Sequence, residues 1–127
     1  MNQQAVRYQL PALLWALLIF VSSSISSDNL PPLGVLGIDK LVHFGVFFIL
    51  CFFTHRAFRF QSRSAFVLTY SLSLSVVATI LYGVSDEIHQ IFTPGRDSTV
   101  YDALADALGG LLYAGLYRLF LIRSKTP

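Results

Sequence analysis

Ionisable and amide side chains recur at helical spacing inside apolar sequence, where each is costly and therefore needs an explanation. Asp39 and His43 are four residues apart, Asp86 and Gln90 are four apart with Glu87 and His89 between them, and Asp102 and Asp106 are four apart. Residues at i and i+4 share one helix face, so each pair forms a polar stripe. A glutamate, histidines and aspartates converging with an arginine can take a proton from water or from a lipid hydroxyl. That is general-base chemistry, and its catalytic candidates are Glu87, His43, Asp106 and Asp86. Arg96, Gln90, His89, Lys40, Asp102 and Asp39 are the candidates for holding a ligand, with Arg96 suited to a phosphate. The same groups suit a site that binds such a head group without altering it, and the two readings stand level. No cofactor is predicted. A divalent ion on His and carboxylates is left open, although the spacings match no metal-ligand signature.

Plainer roles compete for several of these residues. Asp39 is placed to cap a helix, and Thr99-x-x-Asp102 has the spacing of a capping box. Lys40 can extend its amine to lipid head groups. His43 and His89 can serve as interhelical hydrogen-bonders, Asp97 as a solvated turn residue, and Tyr82, Tyr101 and Tyr113 as packing or interface residues. Asp106 has no capping role, since it lies two turns into an apolar helix. Arg96 sits in a turn, is expected to support no span, and follows Gly95, where an anionic head group can approach the backbone.

The elements that must position these groups follow from composition. Of 127 residues, 54% are hydrophobic and 13% charged, and the mean hydropathy is +0.62. A soluble fold of this size cannot hide so much apolar surface, whereas a bilayer accepts it at about 20 residues per helical span. Four spans fit, at about 10–25, 40–58, 65–92 and 99–121, in a single domain, 1–127. The third is too long for one perpendicular crossing and must tilt or emerge. The first resembles a signal peptide, but Trp15 and the lack of an A-x-A site favour retention. Asp28-Asn29, Pro31-Pro32, Gly34 and Gly37 mark a loop before the second span, and Thr93-Pro94-Gly95-Arg96 breaks the chain before Ser98 or Thr99 caps the fourth. A lone Cys51 excludes an intramolecular disulfide and reads as packing. Nothing in the charge pattern marks a nucleic-acid binder.

Small residues extend two of the stripes: Ser71, Ser75, Thr79 and Gly83 on the third span, and Gly110 and Ala114 beyond Asp106 on the fourth. Such faces allow close helix approach and are expected to meet in the interior. With the N-terminus inside, Arg7, Arg56, Arg59, Arg63, Arg118, Arg123 and Lys125 are cytoplasmic, and only Lys40 and Arg96 are outside. Every acidic residue then falls in the outer half. The expected fold is an all-α, polytopic bundle of four transmembrane helices in a bacterial cytoplasmic membrane. Both termini are cytoplasmic, and a shallow polar pocket opens outside. The cytoplasmic halves offer no ionisable chain to complete a path, which argues against proton-linked transport.

Two stretches carry a resemblance: Asp39-Lys40-Leu41-Val42-His43-Phe44, and Asp86 through Arg96 continuing to Asp102, Ala105-Asp106 and Gly109. With the serine-ending first span, they closely resemble the VanZ-like family of bacterial membrane proteins, named for a member linked to glycopeptide (teicoplanin) resistance. The resemblance covers nearly the whole chain and implies a small helical membrane protein. Its motif residues match Asp39, Lys40, His43, Glu87, Gln90, Pro94, Gly95, Arg96, Asp102 and Asp106, the last often asparagine in such proteins. Membrane lipids, and a lipid-linked cell-wall precursor or a glycopeptide, are the partners that this reading expects.

Overall fold

The computed structural model describes residues 3, 5–26 and 38–124, and its regular elements among them are all helical. The loop residues Asp28, Pro31, Pro32, Gly34 and Gly37, and the basic Lys125, lie outside the described residues. A π-helical turn, Ala5–Gln9, runs into α1, Leu10–Ser23. Pro11 explains the change of winding, since its ring lacks an N–H and clashes with the carbonyl four residues back, that of Arg7. The remaining helices are α2 (Ile38–Arg59), α3 (Ala65–Thr69), α4 (Ser71–Gln90) and α5 (Val100–Arg123).

The predicted third span is therefore two helices, interrupted at Tyr70 (φ −100°, ψ 17°). The stretch Thr69-Tyr70-Ser71-Leu72-Ser73-Leu74-Ser75 is rich in weak helix formers, and its hydroxyls compete for backbone carbonyls. Ser75 Oγ does so, donating to Leu72 O at 2.7 Å. Ser64 caps α3 by accepting from Val67 N. Asp39 sits inside the first turn of α2 rather than at its N-cap, and its carboxylate pairs with Lys40 at 2.8 Å.

Helices α2, α4 and α5 pack on one another, while α1 lies against α2 and α4. The interior is the more polar side of the molecule. Ser71, Ser75, Thr79, Asp86, Glu87, Gln90, Asp102 and Asp106 are buried, while Leu, Val, Ile and Phe side chains cover the outside of every helix. Water would penalise that arrangement, and hydrocarbon favours it, because lipid chains solvate the apolar exterior and the polar groups satisfy one another within. Among the described residues, four helical segments are long and apolar enough to cross a membrane: Val6–Ser23, Ile38–Arg59, Ser71–Gln90 and Val100–Arg123.

The two anticipated small-residue faces do meet, since a Cβ on Gly83 would stand 2.9 Å from Asp106 Cβ and one on Gly110 3.2 Å from Thr79 Cγ2. Gly109 brings α5 so close to α2 that a Cβ there would collide with the Phe44 carbonyl and stand 2.9 Å from Phe48 N. Helix α1 is tied on by Trp15, whose Nε1 donates to Val46 O (3.0 Å), and by Tyr82, whose hydroxyl donates to Ala16 O (2.7 Å). Ile19 fills the space beside Phe47 and Leu50. At the basic end of the bundle Tyr8 stacks on Phe60 at 4.4 Å, and the Arg56 guanidinium lies over both rings.

Candidate functional site

At the opposite, acidic end, three helices deliver ionisable groups to one point. Asp106, from the second turn of α5, is fully buried, and its Oδ1 is 3.0 Å from His43 Nδ1 on α2. Glu87, from the last turn of α4, places Oε1 3.9 Å from the same nitrogen. Its other oxygen, Oε2, accepts from Ser98 Oγ (2.9 Å) and from the Thr99 backbone N–H (3.0 Å), which anchors the carboxylate to the start of α5. Two oxygens in this cluster, Glu87 Oε1 and Asp106 Oδ2, are buried without a hydrogen-bond partner. Gly83 makes their crowding possible, since a Cβ there would stand 2.9 Å from Asp106 Oδ2.

A second layer lies beside it. Lys40 Nζ bridges Asp39 (2.8 Å) and Asp102 Oδ1 (3.0 Å), linking α2 to α5. Thr99 is the N-cap of α5: its Oγ1 accepts from Asp102 N at 3.2 Å and donates to Asp102 Oδ2 at 2.6 Å. Thr99 thus caps α5 as the spacing predicted, but the reciprocal half of a capping box is replaced, because the Thr99 N–H goes to Glu87 Oε2 while Asp102 carries the ion pair. Asp86 Oδ2 accepts from Gln90 Nε2 at 2.9 Å within α4. These two layers thus set Asp39, Asp86, Glu87, Asp102 and Asp106 against Lys40 and His43, and Lys40 is already shared by Asp39 and Asp102.

Arg96 and His89 take other places. Arg96 donates from Nε to Ile25 O (3.0 Å) and from Nη2 to Ser22 O (2.7 Å), the carbonyls that end α1. The expectation that Arg96 supports no span is corrected: it fastens the α4–α5 turn to the first span. Gly95 has φ 74°, and with Pro94 before it the pair has the order a type II turn takes, so the turn itself accounts for the glycine. His89 stacks near Phe20 (4.7 Å) and meets Ser24 Oγ at 3.0 Å, which points it at α1 rather than at the cluster.

Against the cluster lies a cavity of about 330 Å³ between α1, α2 and α4. Its polar margin is His43, Asp86, Gln90 and Arg96, and its walls are Trp15, Leu18, Ile19, Val42, Val46 and Phe47. A second cavity, about 520 Å³, lies toward the basic end, where Gln61 and Arg63 join mostly apolar walls. His43 alone belongs both to the first cavity and to the buried cluster of His43, Glu87 and Asp106. Those three residues present ligand atoms all within 4.8 Å of one another.

One interior group escaped the sequence reading. His55 is buried at the basic end, with Nδ1 2.7 Å from Tyr113 Oη and its ring edge-on to Tyr117. A single buried histidine is not the ionisable chain that a proton path would need, but it is an interior polar group that the sequence reading passed over. The signal was present, since His43, Phe47, Cys51 and His55 follow one another at four-residue steps on one face of α2.

Fold and site together define a membrane-embedded helical bundle with a buried carboxylate–histidine cluster at one end. The chain belongs to the VanZ/LLP1 family, whose sequence model matches residues 3–121. Searches of curated proteins and of solved structures gave no match.

Proposed function

We propose that this VanZ-family membrane protein binds, and acts chemically on, a lipid-linked component of the bacterial cell envelope at its acidic end. The observation that carries the reading is the double membership of His43, in an amphipathic cavity on one side and in the buried Glu87–Asp106 cluster on the other. An acyl or prenyl chain suits the Leu18, Val42 and Val46 walls, and a polar head suits the Arg96, Gln90 and Asp86 margin. The carbonyls that Arg96 bonds are neutral, so its charge stays available to an anionic head group. Behind His43, Glu87 and Asp106 each have an oxygen to spare, and Glu87, anchored at its other oxygen by Ser98 and Thr99, is the proton acceptor for chemistry on a head-group hydroxyl or on water. The excess of basic residues at the far end supports an orientation with this site on the outside of the cytoplasmic membrane. A glycopeptide such as teicoplanin, or the precursor it targets, would meet the protein on that face.

A non-catalytic reading has its own support. Lys40, Asp102, Thr99, Glu87 and Arg96 all bond across elements, as a network that locks helices would. Native mass spectrometry of the protein in lipid nanodiscs separates the two. The comparison is retention of a polyprenyl phosphate, an anionic phospholipid and teicoplanin by wild type and by Val42→Trp, which fills the cavity without touching the polar cluster. Selective retention lost in Val42→Trp supports the site, and turnover lost in Glu87→Gln with binding kept supports chemistry. A wild type that retains none of the three selectively leaves the locking network as the function of these residues.

A further inference from the structure

We infer that His43, Glu87 and Asp106 form a binding site for one divalent transition-metal ion of the Zn²⁺ or Mn²⁺ kind. Two buried carboxylate oxygens, Glu87 Oε1 and Asp106 Oδ2, have no partner, and neither carboxylate is paired with a lysine or arginine. Uncompensated acceptors of this kind are costly in a low-dielectric interior, and a cation among them removes the cost.

The geometry fits an ion better than another side chain. His43 Nδ1 lies 3.0 Å from Asp106 Oδ1 and 3.9 Å from Glu87 Oε1, and the three residues each offer a ligand atom within 4.8 Å of the other two. A tetrahedral ion with bonds of 2.0–2.2 Å separates its ligands by about 3.3–3.5 Å. The ligand atoms therefore reach that spacing through changes in their separations of a few tenths of an ångström to about 1.5 Å. The ligands come from α2, α4 and α5, so an ion would also cross-link the three helices that form the centre of the bundle. Glu87 is held by Ser98 and Thr99 through its other oxygen, which leaves Oε1 aimed and free. Gly83, where a Cβ would stand 2.9 Å from Asp106 Oδ2, lets α4 pack directly on that carboxylate and hold it in place.

One imidazole with two carboxylates selects the ion. Thiolate-preferring ions lack a soft ligand here, and magnesium and calcium favour all-oxygen shells, whereas zinc and manganese accept a mixed set. When the ion takes the Nδ1 lone pair, the ring proton resides on Nε2 and the hydrogen bond to Asp106 is replaced by coordination. With the ion bound, Glu87 Oε1 is a ligand and no longer the proton acceptor of the lipid reading, and the two are tested separately, because the ion can be measured on protein that holds no lipid-linked ligand.

The experiment uses the full chain in detergent, stripped with EDTA and desalted, then titrated with Zn²⁺, Mn²⁺ or Mg²⁺. Elemental analysis gives the stoichiometry, and thermal unfolding followed by Trp15 fluorescence gives the effect on the fold. One equivalent of Zn²⁺ or Mn²⁺ should remain after desalting and raise the melting temperature, with Mg²⁺ at least tenfold weaker. Glu87→Gln and Asp106→Asn should each lower the affinity at least tenfold, and the turn substitution Asp97→Asn should leave it unchanged. Gel filtration and circular dichroism identify the carboxylate variants that fold. If one does not, His43→Gln replaces it in the comparison. The inference is overturned if folded wild type retains neither ion, or if the folded variants bind as tightly as wild type.

Discussion

Alanine at position 109 should open the α2–α5 contact and loosen the site with it. The added Cβ would meet Phe44 O and lie 2.9 Å from Phe48 N, both main-chain atoms of α2 that no rotamer change can move aside. A comfortable approach needs about 3.5 Å, so the two helices must part by roughly 0.6 Å or more. His43–Asp106 and Lys40–Asp102 bridge the same two helices at 3.0 Å each. A displacement of that size takes such a bond beyond about 3.5 Å, where it no longer counts as one. Overpacking and a lost buried hydrogen bond together cost about 2–4 kcal/mol. Gly45→Ala and Gly115→Ala provide the contrast, because a Cβ at either meets nothing within 4 Å. Each should gain up to about 1 kcal/mol from helix propensity. Gly110→Ala falls between, since it presses on the Thr79 side chain at 3.2 Å. Reversible unfolding in mixed micelles, read by the single tryptophan, ranks the four. A Gly109→Ala protein as stable as Gly115→Ala would refute the close approach and the argument built on it.

Arg96→Ala should destabilise the bundle by about 1–3 kcal/mol through loss of the bonds to Ser22 and Ile25, and should make α1 the first element to detach. Limited proteolysis in nanodiscs checks this, and a wild-type digestion pattern would count against it. Thr99→Val removes the α5 N-cap and the short bond to Asp102, for about 1 kcal/mol, while Thr99→Ser should retain most of it. Equal melting temperatures for the two variants would sink that assignment. Cys51 is fully buried beside Ser75, so a maleimide should label it only on unfolding. Labelling of folded protein at the rate of an exposed thiol would mean that the α2–α4 interface is open.

The local features of this molecule were legible in its sequence because helical periodicity is local. Ser71, Ser75, Thr79 and Gly83 declare one face at four-residue steps, and that face is buried. The cap at Thr99 and the stop at Thr93-Pro94-Gly95-Arg96 were equally plain, since turn chemistry and capping depend on a few adjacent residues. The break at Tyr70 was hidden, because an unbroken apolar run reads as one helix whether or not its backbone leaves the helical region once.

Only the tertiary structure decided which polar residue meets which. Spacing placed Asp39, Lys40 and His43 near one helix end. It could not say that Lys40 reaches Asp102, 62 residues away, or that His43 reaches Asp106, 63 residues away. Arg96 looked unattached because its partners are backbone carbonyls 71 and 74 residues earlier, and carbonyls carry no sequence signature. No metal-ligand spacing appeared for the same reason, since His43, Glu87 and Asp106 come one from each of three helices. Residue spacing fixes which side of a helix a group occupies, but helix register and crossing distance, set here by glycines such as Gly109 and Gly83, fix what that side faces.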